Sequence, residues 1–345
     1  MELYDWEKEE RRAQLRRRRR RRRLIRQRLI ECAVLAVLVL GVVLLVRGCR
    51  SSRRPDDTSS PLVTDSTVDM EPVFEYPAAD ENTVGFDSEI DAPYAVLVDV
   101  TANRIVAQRG ATEKIYPASV TKVLTLLTAV EHIENYTDTY EMSYEFLDAL
   151  YWQGATVAGF SSGERVTVMD MLYGCILPSG ADATIGLANY VSGSEEAFAV
   201  LMNRKAEELG LRNTHFVNSS GLHDSHHYTT ALDMAVVMAA AMRNDLCRQV
   251  LSTYRYTTAS TPQHPEGLEL TSTMFSRMYG TEPEGATIIA GKTGFTNQAG
   301  NTMVSYAVGE DGHDYIFVSM HNSNKWKSVY DAFHAYTVHC GQENE

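Results

Sequence analysis

The sequence predicts an α+β fold: one antiparallel sheet built from both ends of the folded region, covered by helices, with an all-helical insertion between the strand groups. Three observations predict it. Strand-like runs occur at Tyr94–Gln108 and return only from Thr287 onward. Between them, apolar residues recur at helical spacing. The stretch from Ala92 to the last residue, about 250 residues, is ample for one substantial core. Strands, then a run of helices, then strands again fit an antiparallel sheet whose members are distant in the chain.

Tyr94-Ala-Val-Leu-Val-Asp-Val100 is a buried-strand run, Thr101–Arg104 a turn, and Ile105–Gln108 a return strand, which together make a hairpin. Val120–His132 reads as one apolar helix, Val168–Val191 as one or two more, and Glu195–Leu209 and Thr230–Met242 as two further helices. Strand signals follow at Thr287–Lys292, Thr302–Val308 and Tyr315–Ser319, the last two joined by the hairpin turn Gly309-Glu-Asp-Gly312. Trp326–Val338 closes the chain as a helix.

Upstream, the texture differs. The net charge of −13 divides into +11 over residues 1–54 and −24 over the remainder, which suggests two compartments or two partners. Residues 1–28 form a basic tail with an unbroken arginine run, Arg16–Arg23. Residues 29–46 are apolar apart from Glu31, Cys32 and Gly41, about the shortest length that spans a bilayer. Arginines are denser on the N-terminal side, so the positive-inside bias puts the N-terminus in the cytoplasm and the rest of the chain outside. A cleaved signal peptide is the competing reading, but no A-x-A-like site follows the apolar run. Val46-Arg47-Gly48-Cys49 fits a lipoprotein cleavage site poorly because of Arg47. A topology signal accounts for the arginine run more simply than nucleic-acid binding does, and no nucleic-acid partner is expected. Residues 47–91, rich in Ser, Thr, Pro, Asp and Glu, read as a disordered stalk, leaving 92–345 as the folded domain. Cys175, Cys247 and Cys340 match no zinc spacing and read mostly as buried small apolar residues, with one disulfide left open.

Three short motifs carry chemistry. The first is Pro117-Ala-Ser119-Val-Thr-Lys122, where an apolar helix begins. Ser119 there is either a helix-capping residue or a nucleophile at the positive end of the helix dipole. Lys122, one turn along on the same face, favours the second reading. An ammonium at a helix N-terminus is electrostatically misplaced, and a semi-buried site favours the neutral amine that a general base must be. The spacing S-x-x-K alone is weak, since roughly one chance match is expected in a chain of this length. The second motif is Gly291-Lys292-Thr293-Gly294-Phe295-Thr296, at the end of a predicted strand. Lys292 offers a fixed charge for a substrate carboxylate, and Thr293 and Thr296 offer hydroxyl donors. Gly294 lets a substrate backbone lie close, and the N–H of Phe295 with that of Ser119 could form an oxyanion hole. The third is Leu177-Pro-Ser179-Gly-Ala181-Asp182, where Ser179 could relay a proton; alone it reads equally as a capping loop.

In this order and context, the three motifs match the set described for penicillin-binding proteins and related β-lactamases. From Ala92 to Cys340 the chain resembles the serine D-alanyl-D-alanine carboxypeptidases, the low-molecular-mass penicillin-binding proteins (peptidase family S11). The likeness extends through the flanking stretches Tyr116–Thr125, Leu172–Gly180, Asn218-Ser-Ser-Gly-Leu222 and His227-Tyr-Thr-Thr230. It implies a β-lactamase/transpeptidase-like fold. It also implies that Ser119 attacks the penultimate D-Ala carbonyl of a peptidoglycan stem peptide, with Lys122 as base. Ser179 would pass the proton to the leaving D-Ala, and Lys292 and Thr293 would hold the terminal carboxylate. β-Lactams would acylate the same serine, without a cofactor.

One departure stands out. The family's second motif usually reads S-x-N, and here Ala181 occupies the Asn place. Losing one such hydrogen bond costs on the order of 1–3 kcal/mol, about tenfold to a hundredfold in rate. A catalytically weakened binder or sensor of wall peptides or β-lactams is therefore an alternative. A class A β-lactamase is another, although S-D-N and a downstream Glu-x-x-Leu-Asn loop do not appear. His223, His226 and His227 read as a structural loop rather than a metal site, and Glu195 and Glu196 as a solvated helix face. About 50 residues follow the K-T-G motif, enough for two strands and a helix, so the C-terminal β-domain of some family members is not expected here.

Overall fold

The computed structural model describes residues 75–340. The basic tail (1–28), the apolar segment (29–46) and residues 47–74 of the expected stalk lie outside the described residues. Among the described residues no helix is long and apolar enough to cross a membrane.

The centre is a six-stranded sheet. Its strands are β1 (Val84–Gly85), β2 (Tyr94–Asp99), β3 (Arg104–Arg109), β8 (Ala286–Thr296), β9 (Gly300–Gly309) and β10 (Asp314–Asn322), in the spatial order β1-β3-β2-β10-β9-β8. β10 pairs with β2, Val318 opposite Val96, and so closes the two chain ends into one sheet as expected. Every pairing is antiparallel except that of the short edge strand β1 with β3. Alternate residues of β2 enter two different cores. Ala95 and Leu97 face α9 (Lys325–His339), while Val96 and Val98 face the helical region. A strand covered on both faces reads as a continuous apolar run. Buried Tyr336 ties α9 to the sheet, donating its phenol to the Ser305 carbonyl (3.1 Å) and accepting the Phe317 N–H (3.1 Å).

The insertion contains α1 (Lys122–His132), β4 (Thr139–Glu141), α2 (Tyr144–Gln153), β5 (Arg165–Thr167), α3 (Val168–Ile176), α4 (Ala181–Ser192) and α5 (Glu195–Glu208). It continues through α6 (Ala231–Arg243), α7 (Asp245–Leu251), β6 (Arg255–Thr257), β7 (Glu269–Thr271) and α8 (Phe275–Met278). It is thus not all-helical: β4–β5 and β6–β7 are small antiparallel pairs with too few residues to show a period. α1 is buried at every position from Lys122 to Val130, which makes it the central helix of the insertion. The Val168–Val191 stretch is two helices, because helical pairing runs only to the Leu177 N–H (2.9 Å to the Tyr173 carbonyl) and resumes at the Gly180 carbonyl (3.2 Å from Thr184 N). Thr273 N–H bonds the Leu177 carbonyl (3.0 Å), and Ala181 N–H bonds the Thr156 carbonyl (2.8 Å).

Folded structure begins before Ala92, so the 47–91 stalk is too long at its C-terminal end. Tyr76 donates to Asp233 (2.6 Å) beneath Arg212, and the Ala78 carbonyl accepts from Ile105 (2.9 Å). Phe86 and Ile90 are buried. Arg109 binds the carbonyls of Phe86, Asp87, Ile90 and Ala92, and Asp331 accepts the N–H groups of Asp91 and Ala92. Apolar residues spaced this irregularly along a polar segment produce no periodic signal. Cys175, Cys247 and Cys340 are buried free thiols.

Candidate active site

Ser119 sits in a 3-10 turn (Ala118–Thr121) that runs directly into α1. Ala118 just before it has φ +50°, a left-handed conformation that costs a non-glycine residue about 1–3 kcal/mol and that clusters at functional sites. The turn is clamped on three sides. Thr302 donates to the Pro117 carbonyl (3.1 Å). Thr121 Oγ1 lies 2.8 Å from His227 Nε2. Gly221 lies so close to the Ala118 carbonyl that a Cβ there would overlap it.

Lys122, 2% exposed, directs Nζ to Ser119 Oγ at 3.0 Å and to the Ser220 carbonyl at 2.6 Å. Burial lowers its pKa to about 8, while Cys175, Asp182 and Glu195 oppose that fall. The amine is therefore far easier to obtain neutral than that of an exposed lysine.

Ser179 occupies the α3–α4 break with φ +68° and is also buried. Its hydroxyl accepts from Lys292 Nζ (2.8 Å), which also donates to the Thr293 carbonyl (2.8 Å). Lys292 is fully buried; desolvation and the neighbouring Lys122 and Arg277 push its pKa well below the lysine range. Ser179 thus meets Lys292, whereas Lys122 meets Ser119.

The K-T-G segment lies inside β8 rather than at its end. Lys292 to Thr296 remain paired with Val304 to Gly300, and β8 is an edge of the sheet. Thr293 Oγ1 lies 2.9 Å from Thr273 Oγ1, and Thr296 Oγ1 accepts the Ala299 N–H (3.0 Å), closing the β8–β9 turn. Gly294 also has a use within the fold. A Cβ there would lie 2.7 Å from Ser119 N, so the glycine seats the Ser119 turn against the strand.

These elements border a cleft of about 770 Å³. Ser119, Lys122, Ser179 and Ala181 line it, with Gln153–Thr156 on one side and Phe295–Gln298 on another. Lys292, Thr293 and Gly294 stand behind that wall, and Lys292 reaches the cleft through Ser179. Ala181 is on the wall and brings no polar group. Asp182 turns away, as expected for the next residue along the helix. Its buried carboxylate takes the N–H groups of Ala158 (2.7 Å), Gly159 (3.0 Å) and Phe160 (3.3 Å), and so anchors the segment after α2.

Two site features escaped sequence reading. The Asn218-Ser-Ser-Gly221 loop supplies the carbonyl that holds Lys122. Glu195 is not part of a solvated face; only Glu196 is exposed, while Glu195 lines the cleft and binds Ser219. Their adjacency to the motifs has no signature in local spacing. The histidines disperse: His223 packs edge-on against Tyr116, and His226 lies beside Asp224. His227 Nδ1 accepts the Val217 N–H (3.3 Å), which makes Nε2 the donor to Thr121. Burial lowers its pKa to about 3, which keeps the ring neutral.

The architecture matches that of solved penicillin-binding peptidases. The Streptomyces K15 DD-transpeptidase superposes with a TM-score of 0.64 at 26% identity, covering 72% of this chain and 97% of that one. Penicillin-binding protein 5 from Haemophilus influenzae gives 0.63 at 25% identity, covering 72% and 70%. The fold and the S-x-x-K geometry define the class as the penicillin-binding DD-peptidases. Within that class, the profile of the D-alanyl-D-alanine carboxypeptidase family, Peptidase S11, matches residues 80–324, and the chain belongs to that family. The D-alanyl-D-alanine carboxypeptidase DacF of Bacillus subtilis is 33% identical over 164 residues, 48% of this chain and 42% of that protein. DacC of Escherichia coli is 36% identical over 174 residues, 48% and 43% of the two chains. The matched region is thus less than half the length of these curated relatives.

Proposed function

We propose that this chain is a serine DD-carboxypeptidase that removes the terminal D-alanine from peptidoglycan stem peptides through an acyl-enzyme on Ser119. The observation that carries the reading is the Lys122 amine, dehydrated and 3.0 Å from a hydroxyl that faces an open cleft. Neutral Lys122 takes the Ser119 proton as Oγ bonds to the penultimate D-Ala carbonyl carbon. The N–H groups of Ser119 and Phe295 receive the oxyanion. The C–N bond then breaks, and the departing amine takes back the proton that Lys122 received; in this reading Ser179, held by Lys292 on the same cleft, passes it across. Water hydrolyses the ester and frees Ser119. Lys292, Thr293 and Thr296 serve the terminal carboxylate, and Gly294 keeps Ser119 against β8. A carboxylate beside Lys292 favours its ammonium form, which burial disfavours. Residues 29–46 anchor the chain in the cell membrane, with tail 1–28 in the cytoplasm and the catalytic domain outside. β-Lactams are covalent inhibitors in this reading.

Intact-mass spectrometry of the full chain exposed to a penicillin tests it. One adduct per chain that persists for many minutes and disappears in Ser119→Ala is expected. An adduct that survives Ser119→Ala, or none on the unaltered chain, overturns the nucleophile assignment. Rapid clearing of the adduct would instead make the chain β-lactamase-like. Release of D-alanine from a stem-peptide mimic is expected as well; an adduct without such release would favour the sensor reading that Ala181 suggests.

A further inference from the structure

Glu195 is the first residue of α5, with Ser194 as its N-cap. One carboxylate oxygen, Oε1, accepts both the Ser219 N–H (2.9 Å) and the Ser219 hydroxyl (2.7 Å). Ser219 is completely buried, and its own carbonyl accepts from Thr125 Oγ1 (2.6 Å), one turn beyond Lys122 on α1. The next residue, Ser220, presents the carbonyl that takes Lys122 Nζ at 2.6 Å. Asn218 closes the loop by accepting the Gly221 N–H (2.8 Å), and Gly221 in turn abuts the Ala118 carbonyl beside the nucleophile. One carboxylate therefore sits at the root of a short chain of contacts that ends on both Lys122 and the Ser119 turn. Charge-assisted bonds of this kind are stronger than neutral ones.

On that geometry we propose that Glu195 is a positioning residue of the reaction: through Ser219 it fixes the Ser220 carbonyl that aims Lys122 at Ser119. This rests on the serine-acylation reading above. In chains that keep Asn in the second motif, that amide would help to steady the lysine; with Ala181 here, the Ser220 carbonyl and Ser119 carry the orientation of Nζ. The same carboxylate acts on Lys122 by charge. The titratable groups around the amine are Cys175 on α3, Asp182 on α4, Glu195 on α5, Lys292 on β8 and His227 ahead of α6. Cys175 is held as a neutral thiol by burial and His227 as a neutral imidazole, which leaves Asp182 and Glu195 as the acids favouring the ammonium. Asp182 is committed to three N–H groups of the segment after α2, whereas Glu195 faces the cleft.

The test is the second-order rate of penicillin acylation from pH 5.5 to 10 for the full chain and for Glu195→Gln and Glu195→Ala, with thermal unfolding measured alongside. Gln keeps the acceptor for Ser219 but removes the charge. Its plateau rate is expected to fall severalfold, less than that of Glu195→Ala, and its acidic limb moves to lower pH, because the lysine loses a partner that favoured its protonated form. Ala removes both, and its plateau rate falls about tenfold or more while the chain stays folded. An unmoved acidic limb in Glu195→Gln, or a plateau in Glu195→Ala equal to that of the unaltered chain, overturns the proposal. If Glu195→Ala does not fold, the Gln limb and Ser219→Ala, expected to slow acylation severalfold, decide it. Failure of the unaltered chain to acylate at all is a failure of the nucleophile assignment, and is read separately.

Discussion

The molecule buries two lysines by the same device and gives them opposite surroundings. Lys122 and Lys292 each place Nζ between a serine hydroxyl and a backbone carbonyl. Each lies beside a left-handed non-glycine residue, Ala118 near the first and Ser179 at the second. Around Lys122, however, the groups are acidic, and burial brings it only to about 8. Around Lys292 burial is reinforced by the cations Lys122 and Arg277, with only Cys175 opposing, and its pKa falls well below the lysine range. Lys122 borders the cleft and Lys292 stands behind Ser179. A buried amine is thus no fixed chemical part. In the proposed mechanism the first loses and regains a proton, and the second gains an anion.

Removing either lysine breaks the comparison, with unequal force. Lys122→Ala deletes the base and should slow penicillin acylation by about 10²–10⁴-fold. A stopped-flow rate within threefold of the unaltered chain would refute the assignment. Gly221→Ala attacks the same side indirectly. The residue has φ +79° and no room for a Cβ against the Ala118 carbonyl. We expect about 2–4 kcal/mol lost in denaturant unfolding, with acylation reduced in parallel. Lys292→Gln should lower kcat/KM for a stem-peptide mimic about tenfold to a hundredfold, and have little effect on the same mimic amidated at its C-terminus. An equal loss on both ligands would show that Lys292 only supports Ser179. The two lysines also predict a pH profile. Neutral Lys122 accumulates as pH rises through about 8, so acylation climbs over that range. Carboxylate binding by protonated Lys292 weakens as pH rises, so kcat/KM for a free-carboxylate peptide should pass through a maximum that the amidated peptide lacks. The smallest effect is Ala181→Asn, which should raise D-alanine release by up to about tenfold if nothing else fills the amide's place.

The class of fold was legible because strand-like runs at Tyr94–Gln108 and after Thr287 flank a helical middle, a pattern few architectures share. Ser119, Lys122, Ser179 and Lys292 were legible because each sits in a short motif whose order is informative. The reading failed where partners are remote. The 76–91 segment is polar in composition yet folded, since Tyr76 packs on one core and Phe86 and Ile90 enter the other. Glu195 resembled any solvated helix-start carboxylate, because its partner Ser219 lies 24 residues on. β8 was expected to stop at Lys292, but pairing with β9 carries it on to Thr296.

Local spacing by itself determined that Ser119 and Lys122 share one face of a helix turn, since three residues along a helix is a fixed distance and direction. The order of the motifs determined the family, because it constrains which elements can surround one cleft. Only the tertiary structure decided which lysine meets which serine, that Gly294 serves the nucleophile's turn, and that Glu195 stands behind Ser220. Those pairings follow from desolvation and close packing between segments far apart in the chain, and neither quantity is written in any local stretch of residues.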